Sequence, residues 1–237
     1  MSEELSNDSA DFFLGIGNDG LELLDSEKFS ILCPRKEFDW DDFYRQGTPS
    51  WDTGLVEPDL VRLVKEKKIK PCPTLEIGCG SGVDAIFLAK NGFEVTAVDS
   101  SAMAIDRAHS RARKGNVLLR IVYDDIFKFM QNSQSYEFVY DIGFYHFIRK
   151  TDLTHYLDML WKLTKPGSLF FTLAGSDEVE YEGPPEHLRF LPTVSRDEIF
   201  SELGSIFEEV EVRPRTIYSR FRAEPHAAWA CLFRRPE

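Results

Sequence analysis

Three glycines at alternate positions follow a short apolar run in the stretch LEIGCGSG, and the segment VDAIFLAKNG comes directly after them. Glycine adopts positive φ without a steric penalty and lets a ligand approach the main chain closely, so such a loop suits a bound nucleotide. The NAD fingerprint G-x-G-x-x-G/A fails when it is counted from Gly78, because Val83 then holds the third position. Counted from Gly80, Ala85 satisfies the looser form. The glycine register therefore disfavours NAD without excluding it.

Two acidic residues flank this loop. Glu76 lies two residues before Gly78, and Asp99 ends the alternating segment FEVTAVD, 99 − 78 = 21 residues after that glycine. A carboxylate about this far along, at the tip of the second strand of a nucleotide-binding sheet, can accept hydrogen bonds from ribose hydroxyls. Enzymes that bind NAD use the same device. Asp99 therefore predicts an adenosine ligand and leaves the choice between cofactors open.

Alternating strand and helix segments would have to position these groups. The predicted strands are TLEIG, FEVTAVD, VLLRIVYDD, YEFVYDIG, KPGSLFFTLAG, FEEVEVR and AAWACLFRR. Among the helices between them, one is closed by Gly92, one starts at Thr151 as N-cap, and one begins with a capping box of Ser195 and Glu198. The alternation predicts an α/β fold with a doubly wound, mostly parallel seven-stranded sheet. Ligands of such sheets bind beyond the carboxyl ends of the strands.

The chain divides into two regions. Residues 1–36 are expected to form an N-terminal extension that is partly ordered, and residues 37–237 a single domain. The domain opens with DWDDFYRQG and EPDLVRLVKEKK, which both predict helices. The basic stretch RAHSRARKG reads as the solvated face and last turn of a later helix, where cations suit the helix dipole.

The pattern Glu76-x-Gly78-x-Gly80-x-Gly82 resembles the first motif of class I methyltransferases that depend on S-adenosylmethionine (AdoMet). The resemblance implies a Rossmann-like fold, AdoMet as cofactor and S-adenosylhomocysteine (AdoHcy) as product. It also implies that Glu76 helps to hold the ammonium end of the cofactor. Further cofactor contacts are expected after the next strands, at Asp99, Ser100, Met103, Asp125, Ile126 and Asp141.

Some of these assignments have structural alternatives. Met103 is equally compatible with an ordinary helix core. Asp124 is the fallback for Asp125, and an acid at either position also suits the N-cap of a short helix.

A second resemblance covers roughly residues 40 to the C-terminus. The segment WDDFYRQGTPSWD, with Trp40, Tyr44, Gly47, Trp51 and Asp52, is similar to an N-terminal segment that covers AdoMet in the thiopurine methyltransferase-like family, which includes plant thiol and halide methyltransferases. The resemblance implies that residues 37–60 form a lid over the cofactor. Packing of Trp40 and Trp51 onto the sheet is the alternative interpretation.

Two further motifs belong to the same resemblance. A Gly-Pro-Pro at 183–185 is followed by Ser195 and by a Leu-Gly turn at 203–204, as in that family. Ile142 replaces the arginine of the Asp-Arg-Gly of thiopurine enzymes, which weakens any transfer of the thiopurine substrate.

Candidate catalytic residues follow the fourth strand. His146 and Tyr145 stand where the acceptor is expected, with His187 and Tyr181 as further candidates. A histidine packed under the following helix is the alternative for His146. A thiol, with a pKa of about 8.5, ionises readily and would not need a dedicated base, whereas a hydroxyl or amine acceptor would need more help.

Composition narrows the partners. The net charge of −12 disfavours nucleic acid and anionic membranes, and none of the four cysteines forms a C-x-x-C pair or a zinc-binding spacing. We therefore expect a cytoplasmic monomer, without a metal, that methylates a small-molecule acceptor, a thiol or other soft nucleophile. The alternatives are a non-catalytic AdoMet-binding regulatory module and an NAD-dependent oxidoreductase.

Overall fold

The computed structural model describes residues 39–177, 192–217 and 226–237. The helices are α1 (Trp40–Arg45), α2 (Pro58–Lys65), α3 (Val83–Lys90), α4 (Ala102–Lys114), α5 (Ile126–Phe129), α6 (Tyr145–Leu163) and α7 (Arg196–Glu202). The strands are β1 (Pro73–Ile77), β2 (Glu94–Asp99), β3 (Arg120–Tyr123), β4 (Tyr136–Ile142), β5 (Thr164–Ser176), β6 (Thr193–Val194), β7 (Glu208–Ile217) and β8 (His226–Arg234). The predicted N-terminal extension, residues 1–36, lies outside the described residues.

The strands form one mixed sheet in the order β3-β2-β1-β4-β5-β8-β7. Neighbours from β3 to β5 pair in parallel, and β8 runs antiparallel to both β5 and β7. The predicted doubly wound, mostly parallel sheet of seven strands is confirmed. The short strand β6, which the sequence did not indicate, pairs in parallel with the end of β5 as an eighth strand.

Helices cover both faces of the sheet, as the alternation predicted. Along β4, Val139 belongs to one hydrophobic cluster, which α5, α6 and α7 complete. Its neighbours Phe138 and Tyr140 belong to the cluster on the opposite face, which α2, α3 and α4 complete. Successive side chains of a strand point to opposite faces, so a central strand buried on both sides reads as an almost continuous apolar run.

Two predicted helix ends are confirmed, and one is wrong. Gly92, at φ +87°, follows the end of α3, and α7 starts with the reciprocal capping box of Ser195 and Glu198. The helix expected to start at Thr151 instead begins at Tyr145 and bends at Asp152, whose φ of −157° is not helical. The Asp152 carboxylate accepts from the main-chain N–H of His155, and therefore caps the second part of α6 in place of Thr151.

An ion-pair network fixes α2 to the last strands. The carboxylate of Asp59 is 1% exposed and contacts Arg62 in its own helix together with Arg213 and Arg215 of β7. Glu211 of β7 in turn accepts from Arg62 at 2.6 Å. The helix that follows the predicted lid is thus held across the sheet by buried charge pairs.

Three features of the described residues concern membranes, metal ions and cysteines. None of the described helices is long and apolar enough to cross a membrane. The same residues contain no group of three or more histidine, cysteine or acidic side chains that could hold a metal ion. Cys72, Cys79 and Cys231 are free thiols.

Candidate active site

The glycine loop between β1 and α3 adopts a conformation that excludes other residues. Gly78, Gly80 and Gly82 have φ values of +66°, +52° and +74°, all in the left-handed region. A Cβ atom on Gly82 would lie 3.0 Å from the Cβ of Ala108, so this glycine also lets α3 approach α4. The loop keeps the main chain bare at the carboxyl end of β1, where ligands of parallel sheets bind.

Glu76 is a buried carboxylate next to this loop. The residue is 3% exposed, and its Oε2 atom has no hydrogen-bond partner among the residues that the structure describes. Burial raises the pKa of Glu76 well above its usual range, and the neighbouring carboxylate of Asp84 raises it further. A buried acid with an unpaired oxygen is unfavourable, and a positively charged ligand group would stabilise it.

Asp84 belongs to the same buried acidic region. Its Oδ1 accepts from the main-chain N–H of Glu57 at 2.7 Å. Burial raises the pKa of Asp84 to about 7. The region around Glu76 therefore holds a second carboxyl group whose charge is costly, which strengthens the preference for a cation.

The side chain of Asp99 is hydrogen-bonded to the glycine loop. Its Oδ2 accepts from the main-chain N–H of Gly80 at 2.7 Å, and its Oδ1 accepts from that of Ser101 at 2.8 Å. The main-chain N–H of Asp124 donates to the Asp99 carbonyl at 3.1 Å, which brings the end of β3 to the same place. The fold thus brings Glu76, the three glycines and Asp99 together at the carboxyl ends of β1 and β2.

The contacts predicted after β2 and β3 are placed differently. Ser100 is exposed, and Met103 is half-buried. The Asp125 carboxylate accepts from the main-chain N–H groups of Phe127 and Lys128, at 2.8 and 3.3 Å, as the N-cap of α5. The structural alternative for Asp125 is therefore realised, and Ile126 is buried in the hydrophobic core.

Helix α1 is attached to α4 by a residue that the sequence did not single out. The Asp41 carboxylate accepts from the Ser101 hydroxyl and from the main-chain N–H of Met103, the latter at 3.1 Å. These hydrogen bonds keep the pKa of Asp41 below its usual value. An acidic residue in a D-W-D-D stretch is a weak signal, because its partners lie sixty residues further along.

The predicted lid is also held by an arginine that was assigned to a solvated surface. The guanidinium of Arg107 lies 5.0 Å from the centre of the Tyr44 ring and donates to the carbonyls of Tyr44 and Gly47, at 2.8 and 2.6 Å. The hydroxyl of Tyr44 in turn lies 3.1 Å from where a Cβ of Gly80 would be. The solvated role expected for Arg107 is wrong, because this side chain binds the segment from Tyr44 to Gly47.

An aromatic cluster joins the lid to the start of α6. The rings of Trp40 and Trp51 are 6.0 Å apart and nearly perpendicular, and Phe43 lies 5.1 Å from Trp51. Trp40 also packs edge to face against Phe147, at 5.7 Å. Trp51 is nevertheless 43% exposed. The cluster extends the cofactor side of the sheet towards the tip of β4, where the acceptor was expected.

Tyr145, which was predicted at the tip of β4, is turned towards α7. The hydroxyl of Tyr145 donates to Glu202 at 2.7 Å, and Arg149 donates to the same carboxylate at 2.8 Å. Tyr145 is fully buried, and its pKa is raised strongly by burial and by Glu202. The Tyr145 hydroxyl thus links α6 to α7, and the catalytic role expected for it stays a prediction.

Asp141 is also engaged within the protein. Its Oδ1 accepts from the main-chain N–H groups of Phe144 and Tyr145 and from the Thr172 hydroxyl, at 2.9, 3.1 and 3.0 Å. Its Oδ2 accepts from the Tyr156 hydroxyl at 2.8 Å. The side chain has no exposed surface, and burial raises its pKa to about 6. Asp141 thus caps the start of α6, and the cofactor contact expected for it is not supported by this arrangement.

His146 faces the ends of two neighbouring strands. Its Nδ1 accepts from the main-chain N–H of Gly175 in β5 at 2.9 Å. A Cβ on Gly143, just after β4, would lie 3.6 Å from its Nε2 atom. Burial, and to a lesser degree the charge of Arg149, lowers the pKa of His146 to about 3. The histidine is therefore neutral. Its ring is packed just after β4, against the end of β5. Gly183-Pro184-Pro185, Tyr181 and His187 lie outside the described residues.

Comparison with known families agrees with this geometry. Residues 74–167 match a family model described as a methyltransferase domain. The matched region runs from β1 into β5 and includes the glycine loop, Asp99 and His146. The fold is the Rossmann-like fold of class I methyltransferases, and the matched methyltransferase domain indicates AdoMet as the cofactor.

Three curated proteins show the sequence similarity. Hemagglutinin 1 of Eikenella corrodens is 29% identical over 131 residues, 55% of this chain and 42% of that protein. The probable thiol methyltransferase 2 of Arabidopsis thaliana is 24% identical over 62% of this chain and 65% of its own length. Thiocyanate methyltransferase 1 of Brassica oleracea is 22% identical over 90% and 94%. The chain therefore spans less than two thirds of the first two relatives and nearly all of the third, and it resembles thiol methyltransferases.

Solved structures share the fold. A protein studied for the conversion of a disulfide bond into a thioacetal group during echinomycin biosynthesis superimposes with a TM-score of 0.70, at 24% identity over 83% of this chain and 91% of that one. The 1,6-didemethyltoxoflavin-N1-methyltransferase of Burkholderia thailandensis, solved with its substrate and AdoHcy, gives 0.65 at 19% identity over 84% and 86%.

The residues present fit AdoMet. The buried Glu76 oxygen that has no partner among the described residues suits the ammonium group of the cofactor, and the positive φ of the three glycines gives a loop without side chains at the carboxyl end of β1. Asp99 stands at the tip of β2, where a carboxylate can reach ribose hydroxyls. A ligand without a phosphate group is sufficient to account for each of these residues.

Proposed function

We propose that this protein transfers a methyl group from AdoMet to a small soft nucleophile, either a thiol or an anion such as thiocyanate. The observation that carries the cofactor part is the buried carboxylate of Glu76, with an unpaired oxygen beside the glycine loop. The names of the thiol and thiocyanate methyltransferase relatives support the acceptor class. We include in this proposal a cytoplasmic monomer without a nucleic-acid or membrane partner; the net charge of −12 supports only the exclusion of anionic partners.

The proposed cofactor contacts divide along the loop. Glu76 holds the ammonium group, the glycines allow close approach to the main chain, and Asp99 accepts from the ribose. AdoMet supplies a methyl group that is already activated on a sulfonium. The protein therefore contributes mainly orientation, removal of water and a suitable electrostatic environment.

The aromatic cluster is the proposed cover of the site. Trp40, Phe43, Trp51 and Phe147 present ring edges and faces between the lid and the tip of β4. Aromatic faces attract a cation such as a sulfonium, and their surface excludes water. A soft, weakly hydrated acceptor loses little by entering such a site, whereas a strongly hydrated acceptor would lose more.

The residues at the tip of β4 support an acceptor that needs no strong base. The Tyr145 hydroxyl is bonded to Glu202, and the Asp141 carboxylate is saturated by internal hydrogen bonds. A thiol, with a pKa of about 8.5, is partly ionised near neutral pH, and thiocyanate is an anion throughout. Both can therefore attack without transferring a proton to these residues.

The test combines binding with turnover. Calorimetry should show binding of AdoMet and AdoHcy, and AdoMet rather than NAD should raise the melting temperature. An assay of AdoHcy release against small thiols, thiocyanate, iodide and phenols should show acceptor-dependent turnover. Absence of AdoMet and AdoHcy binding would overturn the proposal, and binding without turnover on any acceptor would point to the non-catalytic module.

A further inference from the structure

The Nε2 atom of His146 is a buried polar atom that has no partner among the described residues. The residue is 5% exposed, and Nε2 makes no hydrogen bond to any residue that the structure describes. A buried donor or acceptor without a partner costs free energy, and each such group in a folded protein calls for an explanation. The other ring nitrogen, in contrast, is fully engaged.

The hydrogen bond at Nδ1 fixes which nitrogen carries the proton. The main-chain N–H of Gly175 can only donate, and it points at Nδ1 from 2.9 Å. Nδ1 must therefore present its lone pair, and in the neutral ring the proton is on Nε2. The unpaired atom is thus an N–H donor that has no lone pair with which to take a proton.

The surroundings of the ring keep it neutral. From β4 and β5 it is faced by the main chain at Gly143 and Gly175, which have no titratable side chain. The charge that acts on the ring is that of Arg149, one turn along α6, and Arg149 is itself paired with Glu202. Both burial and this cation oppose protonation, and both leave the pKa of His146 below its usual value.

The position of the ring is at the acceptor side of the predicted site. It lies at the carboxyl ends of β4 and β5, within the parallel part of the sheet, and β4 is the direct neighbour of β1, which the glycine loop follows. Its centre is 4.8 Å from the ring of Phe147, which packs against Trp40 of the lid. The donor therefore borders the aromatic cluster that covers the site.

We propose that His146 is a neutral hydrogen-bond donor to the methyl acceptor through its Nε2–H group, and that it suits acceptors that arrive already ionised: thiolates and soft inorganic anions. The inference rests on the proposed function and specifies the acceptor. It replaces the general-base role that a histidine after β4 suggests. A donor stabilises the anionic form of the acceptor and holds its reactive atom.

The chemistry balances without a base in the protein. A thiol loses its proton to solvent before transfer. The acceptor's lone pair then forms the new bond to the methyl carbon as the carbon–sulfur bond of the sulfonium breaks towards sulfur. The products are a methylated acceptor and neutral AdoHcy, and His146 keeps its proton throughout.

The test compares two acceptors in three variants. His146→Ala should lower kcat/KM about 10- to 100-fold for both a small thiol and thiocyanate, because each anion loses one hydrogen bond. His146→Gln, whose amide N–H can extend towards the position of Nε2, should retain about a tenth or more of the activity. The exposed His109 is the control, and His109→Gln should leave both rates unchanged. Melting temperatures and AdoHcy binding would show that each variant is folded.

A binding measurement gives a readout apart from turnover. Calorimetric binding of thiocyanate to the AdoHcy complex should weaken in His146→Ala by a similar factor, and should be independent of pH between about pH 6 and 9 because the ring does not titrate there. Loss of thiol activity with unchanged use and binding of thiocyanate would identify a general base and overturn the inference. Unchanged activity on both acceptors would also overturn it. A wild-type protein that methylates neither acceptor would instead contradict the proposed function.

Discussion

At the level of single residues, the proposed cofactor site depends on a buried carboxylate whose ionised form lowers the stability of the folded protein. Glu76 is almost fully buried, and its pKa is raised by burial and by Asp84. A carboxyl group whose pKa is higher in the folded than in the unfolded state lowers stability as the pH rises through that interval. The free energy lost in folding is recovered when a cationic ligand binds.

Replacing Glu76 by glutamine tests whether this carboxylate lowers the stability of the free protein and strengthens cofactor binding. Glu76→Gln should weaken AdoHcy binding about 10- to 100-fold, since a charge-assisted hydrogen bond is lost. In the absence of cofactor it should raise the melting temperature at about pH 8, because the buried ionisable group is removed. Calorimetry and thermal unfolding measure the two effects. A variant that binds AdoHcy as tightly as wild type would contradict the role of Glu76.

The pH dependence of cofactor binding follows from the same residue. The ammonium group favours ionised Glu76, so AdoHcy binding should release a proton and weaken as the pH falls below the raised pKa of this carboxyl group. Calorimetry in buffers of different ionisation enthalpy measures the proton released. Glu76→Gln is the matched control, and a release that is unchanged in this variant would assign the proton to another group.

At the scale of elements, local signals in the sequence predicted the start and end of several segments. The capping box of α7 and Gly92 after α3 could be predicted because their partners lie within a few residues. Asp41 and Arg107 could not, because their partners lie about sixty residues away and depend on how α1 packs against α4. Asp141 follows a strand as a ligand contact would, and only the fold reveals that it caps α6.

The attachment of the lid can be tested at Asp41. Asp41→Ala removes the acceptor of the Ser101 and Met103 hydrogen bonds at the start of α4, and should cost about 1 kcal/mol in the free energy of unfolding. If the lid covers the cofactor, AdoHcy should also dissociate several-fold faster, which stopped-flow displacement measures.

Asp42 provides the matched control for the lid. It is the next residue of α1, and its carboxylate, which is 58% exposed, pairs with Arg45 at the surface. Asp42→Ala should therefore change stability by less than about 0.5 kcal/mol and leave the dissociation rate of AdoHcy unchanged. Equal dissociation rates in both variants would contradict a lid anchored through Asp41.

At the scale of the whole molecule, charge pairs connect the first and last parts of the domain. Asp59 of α2 meets Arg213 and Arg215 of β7 inside the protein, although more than 150 residues separate them in the sequence. The alternation of strands and helices predicted the sheet, but it carries no information on such long-range pairs. Removal of the Asp59 carboxylate leaves arginines that are 22–39% exposed and that keep other acidic partners, Glu57 and Glu211.

This network predicts a large effect on stability. Asp59→Ala should lower the free energy of unfolding by about 1–3 kcal/mol, measured by urea denaturation, because partly buried arginines lose one of their acidic partners. Glu66→Ala is the control, because its pair with Arg62 is at the surface and its loss should change the free energy of unfolding much less. Equal effects of the two substitutions would show that the buried network does not hold α2 in place.

The central claim is that this fold transfers a methyl group from AdoMet to a soft nucleophile. The most direct measurement is the rate of AdoHcy formation by the wild-type protein with AdoMet and either thiocyanate or a small thiol, compared with the rate without acceptor. The rate of AdoHcy formation should rise with acceptor concentration and saturate. A rate no higher than the acceptor-free background for both acceptors, with AdoMet bound, would contradict it.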